Sequence, residues 1–363
     1  MSAIIGIRRE DKSVWERRTP LIPKDAEELK KQYGIDFIVQ TSKIRAFSDK
    51  LYSLAGTKIE ESLANCDVIL GIKEIPIPLL EPKKTYVFFS HTIKGQSHNM
   101  PMLKKLMELK CNLIDYEKIV DSKGKRLILF GRYAGIAGII DTLWALGKRL
   151  DWENISNPFS DLKQTYKYKN LETAKEAIRE VGKRIKSEGI SEELVPFVIG
   201  IAGYGNVSSG VQEILNYLPV QELKPDELSA IFKSTPSSNI IYKIVFKEKH
   251  TVYSATESIS VNISRRKSLL QSIEPISSTA SFDIQDYYKN PEKYRSKFHI
   301  YLPYLTVFIN AIYWDKRYPR LVTKEALRKL YGSVKKPRLR IIGDISCDIN
   351  GAVECTACAT SID

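Results

Sequence analysis

Apolar and polar positions along this chain follow two rhythms. Short, nearly continuous apolar runs occur at Ile4–Arg8, Asp36–Gln40, Cys66–Ile72 (CDVILGI), Thr85–Ser90 (TYVFFS) and Cys111–Ile114, and each reads as a strand. Between them the spacing changes to that of helices. One helix is expected to begin at Pro23, with Ala26 and Leu29 apolar among Lys and Glu, and another covers Met100–Leu109. Strands this apolar are buried on both faces, and strands alternating with helices imply a parallel sheet.

The second half opens with Leu127–Leu150, a buried helix entered through Phe130-Gly131. Its Ala134, Gly135, Ala137 and Gly138 would let a neighbour approach closely. Residues 157–170 are polar and turn-rich, and Thr173–Ser187 is an amphipathic helix. An apolar strand beginning at Phe197 then runs into Gly200-Ile-Ala-Gly203-Tyr-Gly205-Asn-Val-Ser208-Ser-Gly210. After it, Val211, Ile214, Leu215 and Leu218 form a helical stripe. Strand, glycine turn and helix in this order form the setting of a dinucleotide site. The turn lets backbone approach a pyrophosphate, and the helix N-terminus offers free N–H groups. Ser208 stands where the fingerprint has its third glycine, and a small residue there still permits close packing. The ribose-reading position falls in Val220–Lys224: Glu222 suits the 2′-hydroxyl of NAD, Lys224 the 2′-phosphate of NADP, and charge alone leaves both open. Thr251–Ser281, rich in Ser and Thr and containing Ser264-Arg-Arg-Lys267, reads as a polar surface insertion.

The chain's 363 residues suggest two domains, and its 43% hydrophobic content fits a globular core. The most apolar stretch, Leu127–Leu146, carries Arg132 and Asp141, so no membrane span is expected. The first residues lack a signal-peptide apolar region, and five scattered cysteines fit a reducing compartment, so a cytoplasmic location is expected. Cys355-x-x-Cys358 has no second pair, no other metal-ligand spacing occurs, and no metal is expected. The net charge of +13 is dispersed, without a basic run or nucleic-acid motif. It fits small anionic ligands better than nucleic acid. There is no G-x-S-x-G elbow and no Walker lysine.

Ionisable residues come directly after the apolar runs of the first half. Lys73-Glu74 follows CDVILGI, His91 and Lys94 follow TYVFFS, and Asp115 and Glu117 follow the next strand; Arg17 and Arg18 lie beyond the first. In a parallel α/β sheet these strand ends face one crevice, where ligands bind. Singly, each could be a solvated loop charge or a cap. Together they offer a histidine that titrates near neutrality, a lysine open to a lowered pKa, and a fixed guanidinium for carboxylates.

Longer motifs carry a family resemblance. Ile7-Arg-Arg-Glu10 with Trp15-Glu-Arg-Arg-Thr-Pro20 resembles the opening of the alanine dehydrogenase and transhydrogenase superfamily. Phe88-Phe-Ser-His-Thr-Ile-Lys-Gly-Gln96 and Leu113-Ile-Asp-Tyr-Glu-Lys118 resemble lysine-ketoglutarate reductase, the saccharopine-forming part of aminoadipic semialdehyde synthase. Phe130-Gly-x-x-Ala-Gly135, Gly203-Tyr-Gly-Asn-Val207, Asn290–Tyr294, Ile309–Trp314, Pro319–Thr323 and Gly343–Asp348 continue the likeness in order.

The resemblance implies an α/β fold of two Rossmann-like domains with parallel sheets flanking an interdomain cleft. A substrate domain would comprise 1–130 plus a returning segment of about 343–363, and a dinucleotide domain 131–342. Further chain past Asp363 would close the coenzyme site. Lys73 would be the base and His91 the acid. Arg18, Lys94, Glu117, Arg126 and Phe130 would hold substrate, and Gly203, Tyr204, Gly205, Asn206, Val207, Glu222, Lys224 and Asp344 would hold NADP(H) or NAD(H). The expected reaction joins L-lysine to 2-oxoglutarate and reduces the imine with NADPH to saccharopine. The alternatives are an NAD-dependent, lysine-forming saccharopine dehydrogenase and a cofactor-binding but inactive relative. A plain alanine dehydrogenase fits Ser90-His-Thr-Ile-Lys94 less well. The expected partners are small molecules, with no nucleic acid or membrane; the oligomeric state stays open.

Overall fold

The computed structural model describes residues 4–93, 95, 97–255 and 282–358. The chain divides into two compact units, Met1–Leu129 and Phe130–Asp363.

In the first unit, strands β1 (Ile4–Ile7), β2 (Asp36–Gln40), β3 (Lys58–Glu60), β4 (Val68–Leu70), β5 (Thr85–Phe88) and β6 (Asn112–Asp115) form one sheet in the order β3-β2-β1-β4-β5-β6. Every pairing is parallel. This is the doubly wound order, whose ligand crevice lies at the carboxyl ends of the strands. Helix α1 (Pro23–Tyr33) starts on its proline, as expected, and stops at Gly34, whose φ of +67° is a left-handed cap. It covers one face with α2 (Asp49–Leu54), burying Ala26 and Tyr52 against Ile7, Phe37 and Val39. On the other face α3 (Met100–Glu108) sets Met102 and Leu106 against Ile69, Tyr86 and Phe88. Each such fully buried large side chain contributes about 1.5–3 kcal/mol.

In the second unit α4 (Gly131–Trp152) and α5 (Leu171–Glu188) precede the strands. These are β7 (Phe197–Ala202), β8 (Val220–Leu223), β9 (Ile241–Phe246), a β10–β11 antiparallel pair (Val252–Ser254 and Tyr294–Ser296), β12 (Val307–Asn310) and β13 (Ile341–Asp344). The five-stranded sheet runs β13-β12-β7-β9-β8, parallel throughout. All six residues of β7 are buried, between an α4/α5 core and a core built on Phe246, Phe298 and Phe308.

Helix α6 (Asn206–Leu215) begins at the glycine turn, earlier than its apolar stripe suggested, because its first turn is polar. Helix α4 begins at Gly131, so Leu127–Phe130 stays outside it. Helices α4 and α6 cross backbone against backbone. A Cβ on Gly135 would lie 1.9 Å from the Val207 carbonyl oxygen, and one on Gly210 1.9 Å from that of Arg132. The close approach assigned by the fingerprint to its third glycine therefore falls on Gly210, and Ser208 is buried without conflict.

The segment expected to return to the first domain belongs, as far as it is described, to the second unit. β13 pairs along its length with β12, the Ile345 N–H donates to the Asn310 carbonyl, and Val353 bridges Val322. β13 is an edge strand, and this pairing satisfies the backbone groups on the side that faces β12. Most of the polar stretch Thr251–Ser281, including Ser264-Arg-Arg-Lys267, lies outside the described residues, as does Lys94.

Candidate active site

In the first unit, β1, β4, β5 and β6 are neighbours, so the residues just beyond each of them collect along one edge. Lys73 and Glu74 come after β4, and His91 after β5 with φ +49°, a left-handed conformation that costs a side-chain-bearing residue energy. Its Nδ1 lies 2.8 Å from Glu74 Oε1. Asn99, buried before α3, donates from Nδ2 to the same carboxylate oxygen at 3.2 Å and to the Ser90 carbonyl at 3.1 Å. Lys12 Nζ stands 3.4 Å from Glu74 Oε2. Burial alone would raise the Glu74 pKa, but the His91 and Asn99 hydrogen bonds outweigh it and hold the carboxylate far below its ordinary range.

Lys73 is fixed through its backbone. Glu10, beyond β1, accepts from the Ile72 N–H at 2.8 Å and the Lys73 N–H at 2.9 Å. Burial pushes the Glu10 pKa up, partly countered by these two N–H groups and by Arg8. Arg18 grips Glu16 with two prongs, Nε to Oε1 at 2.7 Å and Nη2 to Oε2 at 2.6 Å. Burial works to raise the Glu16 pKa, yet Arg18 and the nearby charge of Lys73 leave it lowered. Arg18 thus displays a two-pronged carboxylate contact, here made to Glu16.

At the end of β6, Asp115 accepts from the Glu117 N–H at 2.8 Å and from the Ser90 hydroxyl, which ties this strand end to that of β5. Glu117 pairs with Arg126 at 3.0 Å, and both stand beside the same edge. Phe130 is partly exposed at the start of the second unit. Sequence reasoning passed over Glu10, Glu16 and Asn99; Glu10 and Glu16 lie within the quoted opening motifs, which was the available signal.

In the second unit the turn after β7 has the form a dinucleotide requires. Gly203 has φ +102°, and a Cβ there would meet the Ala311 carbonyl at 2.7 Å, so only glycine fits. Gly205 faces open space, with no atom within 4 Å of a Cβ. The first N–H groups of α6, at Asn206 and Val207, come directly after it and could receive a pyrophosphate. At the end of β12, the buried Asn310 keeps Oδ1 without a partner among the described residues, while its Nδ2 donates to Asp344 at 2.8 Å. Asp344 also accepts from the Ser346 and Thr356 hydroxyls, at 2.8 and 2.5 Å.

The ribose-reading strand is displaced. β8 lies at the sheet edge, and β9 separates it from β7. Glu222 is paired with Lys243 of β9 at 2.7 Å. Beside it a cavity of about 710 Å³ is lined by Lys224, Lys247, Lys249, Lys297 and His250. Burial, then the charges of Lys249, Lys297 and Lys247, push the His250 pKa down to about 4. Lys247 also lies over the ring of Tyr204, 5.6 Å from its centre, and the Tyr204 hydroxyl reaches Glu248 at 3.3 Å. Glycine turn and helix start fit a dinucleotide. Among the described residues no group of His, Cys, Asp and Glu is arranged to hold a metal ion, and no helix is long and apolar enough to cross a membrane.

Comparison with known proteins gives a consistent picture. Residues 6–137 match the family described as alanine dehydrogenase/PNT, N-terminal domain. Alpha-aminoadipic semialdehyde synthase of Arabidopsis thaliana is 38% identical over 373 residues, covering 100% of this chain and 33% of the relative. The mitochondrial alpha-aminoadipic semialdehyde synthase of Bos taurus is 35% identical over 372 residues, covering 99% of this chain and 38% of its own. The chain therefore spans little more than a third of the length of these relatives. Among solved structures, an L-alanine dehydrogenase superposes with a TM-score of 0.56 at 16% identity, over 97% of this chain and 76% of that one, a likeness of fold.

Proposed function

We propose, from the premise that this chain belongs to the alanine dehydrogenase/PNT family beside its aminoadipic semialdehyde synthase relatives, that it is an NADPH-dependent oxidoreductase that forms saccharopine from L-lysine and 2-oxoglutarate. The first unit handles substrate and protons; the second holds the coenzyme. The observation that carries the reading is the gathering of Lys73, Glu74 and His91 at adjoining strand ends, linked by the 2.8 Å bond between Glu74 and His91.

The ε-ammonium of free lysine has a pKa of about 10.4 and cannot attack a carbonyl until it loses a proton. Lys73 accepts that proton. The amine then adds to the keto carbon, and His91 donates the proton with which the carbinolamine loses water. Held at the glycine turn, a reduced nicotinamide would supply the hydride needed to reduce the protonated imine to the secondary amine. Arg18 releases Glu16 to take a substrate carboxylate in the same two-pronged geometry, and Arg126 serves another carboxylate beside Glu117.

Preference for NADPH over NADH rests on the lysine cavity beside β8 and β9. Lys224, Lys247 and Lys249 would neutralise a 2′-phosphate, and Glu222, already engaged by Lys243, is poorly disposed to accept from a 2′-hydroxyl. The test is direct: mix lysine and 2-oxoglutarate with NADPH or with NADH and follow the absorbance of the reduced nicotinamide. Consumption that requires both substrates and favours NADPH supports the proposal. Absence of consumption in a folded chain that binds NADPH refutes the activity.

A further inference from the structure

At the opposite edge of the second sheet, where β7, β12 and β13 begin, lies a second cavity of about 340 Å³, walled by Thr306, Ser333, Lys336, Arg338 and Arg340. Its charges do not balance. Lys336 pairs at 3.3 Å with Glu193, and both are largely exposed, so the pair is weak. The Arg340 side chain is only 7% exposed and lies 2.9 Å from Glu153, yet its Nε–H is not aligned to form a hydrogen bond. Among the described residues no carboxylate pairs with Arg338. Its Nη2 donates to the Val195 carbonyl at 2.9 Å, and its Nη1 to those of Leu194 and Pro196 at 3.3 Å. The guanidinium also lies 4.8 Å from the centre of the Phe232 ring. Among the described residues, the cavity's three cations thus have two carboxylate partners, Glu193 and Glu153, and Glu153 also pairs with Arg149. Burial, then the like charge of Arg340, lower the Arg338 pKa. Nearby, the Ser333 hydroxyl already covers the Leu330 carbonyl at 3.0 Å, which removes one competing acceptor.

We propose that this cavity is a binding site for a small oxyanion, the carboxylate or phosphate head of a small molecule, with Arg338 as its principal counter-charge and Lys336 at its rim. Guanidinium groups recognise both head groups through parallel N–H donors. The site lies at the amino ends of the strands, away from the glycine turn at the carboxyl end of β7, and it owes nothing to the coenzyme reading.

The experiment uses the whole chain, with inorganic phosphate and malonate as probes and chloride at matched ionic strength as the reference, read by calorimetry. A Lys224→Met/Lys249→Met background weakens the other lysine-lined cavity. Saturable binding of either probe is expected in this background. Lys336→Met should weaken it about tenfold. Ser333→Asp, which puts a carboxylate at the site, should abolish it, as should Arg338→Met. Should Arg338→Met fail to fold, the first two variants suffice. Tighter binding of phosphate assigns a phosphorylated ligand, and tighter binding of malonate a carboxylate. No saturable binding in the background protein, or binding unchanged by Lys336→Met and Ser333→Asp, overturns the proposal.

Discussion

Glu74 and His91 meet across the ends of two neighbouring strands, with carboxylate oxygen and ring nitrogen 2.8 Å apart. The bond fixes the orientation of the imidazole and sets Nδ1 against the carboxylate, which leaves Nε2 as the nitrogen presented to a ligand. Replacing His91 with Gln keeps a polar side chain but removes proton transfer. Turnover should fall by about two orders of magnitude, as should that of Lys73→Met, with NADPH affinity unchanged. Steady-state rates beside a fluorescence titration of NADPH measure both quantities. Full turnover in either variant removes that residue from the proton-transfer scheme.

The lowered pKa of Glu74 also makes a prediction about stability. Its folded pKa lies below the ordinary value of 4.5, so its contribution is complete above that pH and erodes as pH falls toward the lower folded value. Glu74→Gln should therefore be less stable than the parent near neutrality, and the difference should shrink as the medium is acidified below about pH 4.5. Urea unfolding at stepped pH values supplies the curve. A gap that stays constant with pH would mean that the carboxylate's charge is not what stabilises this corner.

Two glycines near the nucleotide turn should respond in opposite ways. Gly205 has open space where a side chain would grow, so Gly205→Val should fold with little change in melting temperature and lose NADPH binding. Gly210 has the Arg132 carbonyl 1.9 Å from a would-be Cβ, so Gly210→Ala should lose about 1–3 kcal/mol of stability through forced separation of α4 and α6. Melting curves with and without coenzyme separate the two effects. Undiminished coenzyme binding by folded Gly205→Val would contradict the assignment of the turn.

Coenzyme choice should track the lysines. Lys224→Ala and Lys249→Ala each remove a charged donor from the cavity, and each should raise the KM for NADPH about tenfold, leaving NADH little affected. Equal losses with both coenzymes would place these lysines outside any 2′-phosphate contact.

Much of the fold was legible because its signals are local. The run at Asp36–Gln40 and the proline at 23 gave element positions directly, since a buried parallel strand needs an unbroken apolar run and a first-turn proline loses no hydrogen bond. That Lys73 and His91 lie along one edge was legible for a related reason: residues after apolar runs in neighbouring parallel strands share an edge. What stayed hidden depends on partners distant in sequence. Glu10 accepts from the Lys73 N–H across sixty-three positions, and the motif that contains Glu10 does not name that partner. Likeness alone placed the segment from about 343 onward with the first domain; the pairing of Gly343 and Asp344 with Ile309 and Asn310 of β12, partners some thirty-four positions away, is not written in the segment itself.

The order of strands in the second sheet has a practical corollary for protein engineering. Counting about twenty positions from the first glycine leads to β8, an outermost strand whose acidic side chain is already spoken for by Lys243. The lysine that touches the glycine turn, Lys247 over Tyr204, comes instead from just past β9, and Lys249 joins it on the cavity wall. Exchanging the acidic residue at 222 should therefore leave coenzyme selectivity intact, whereas recoding 247–249 should rewrite it.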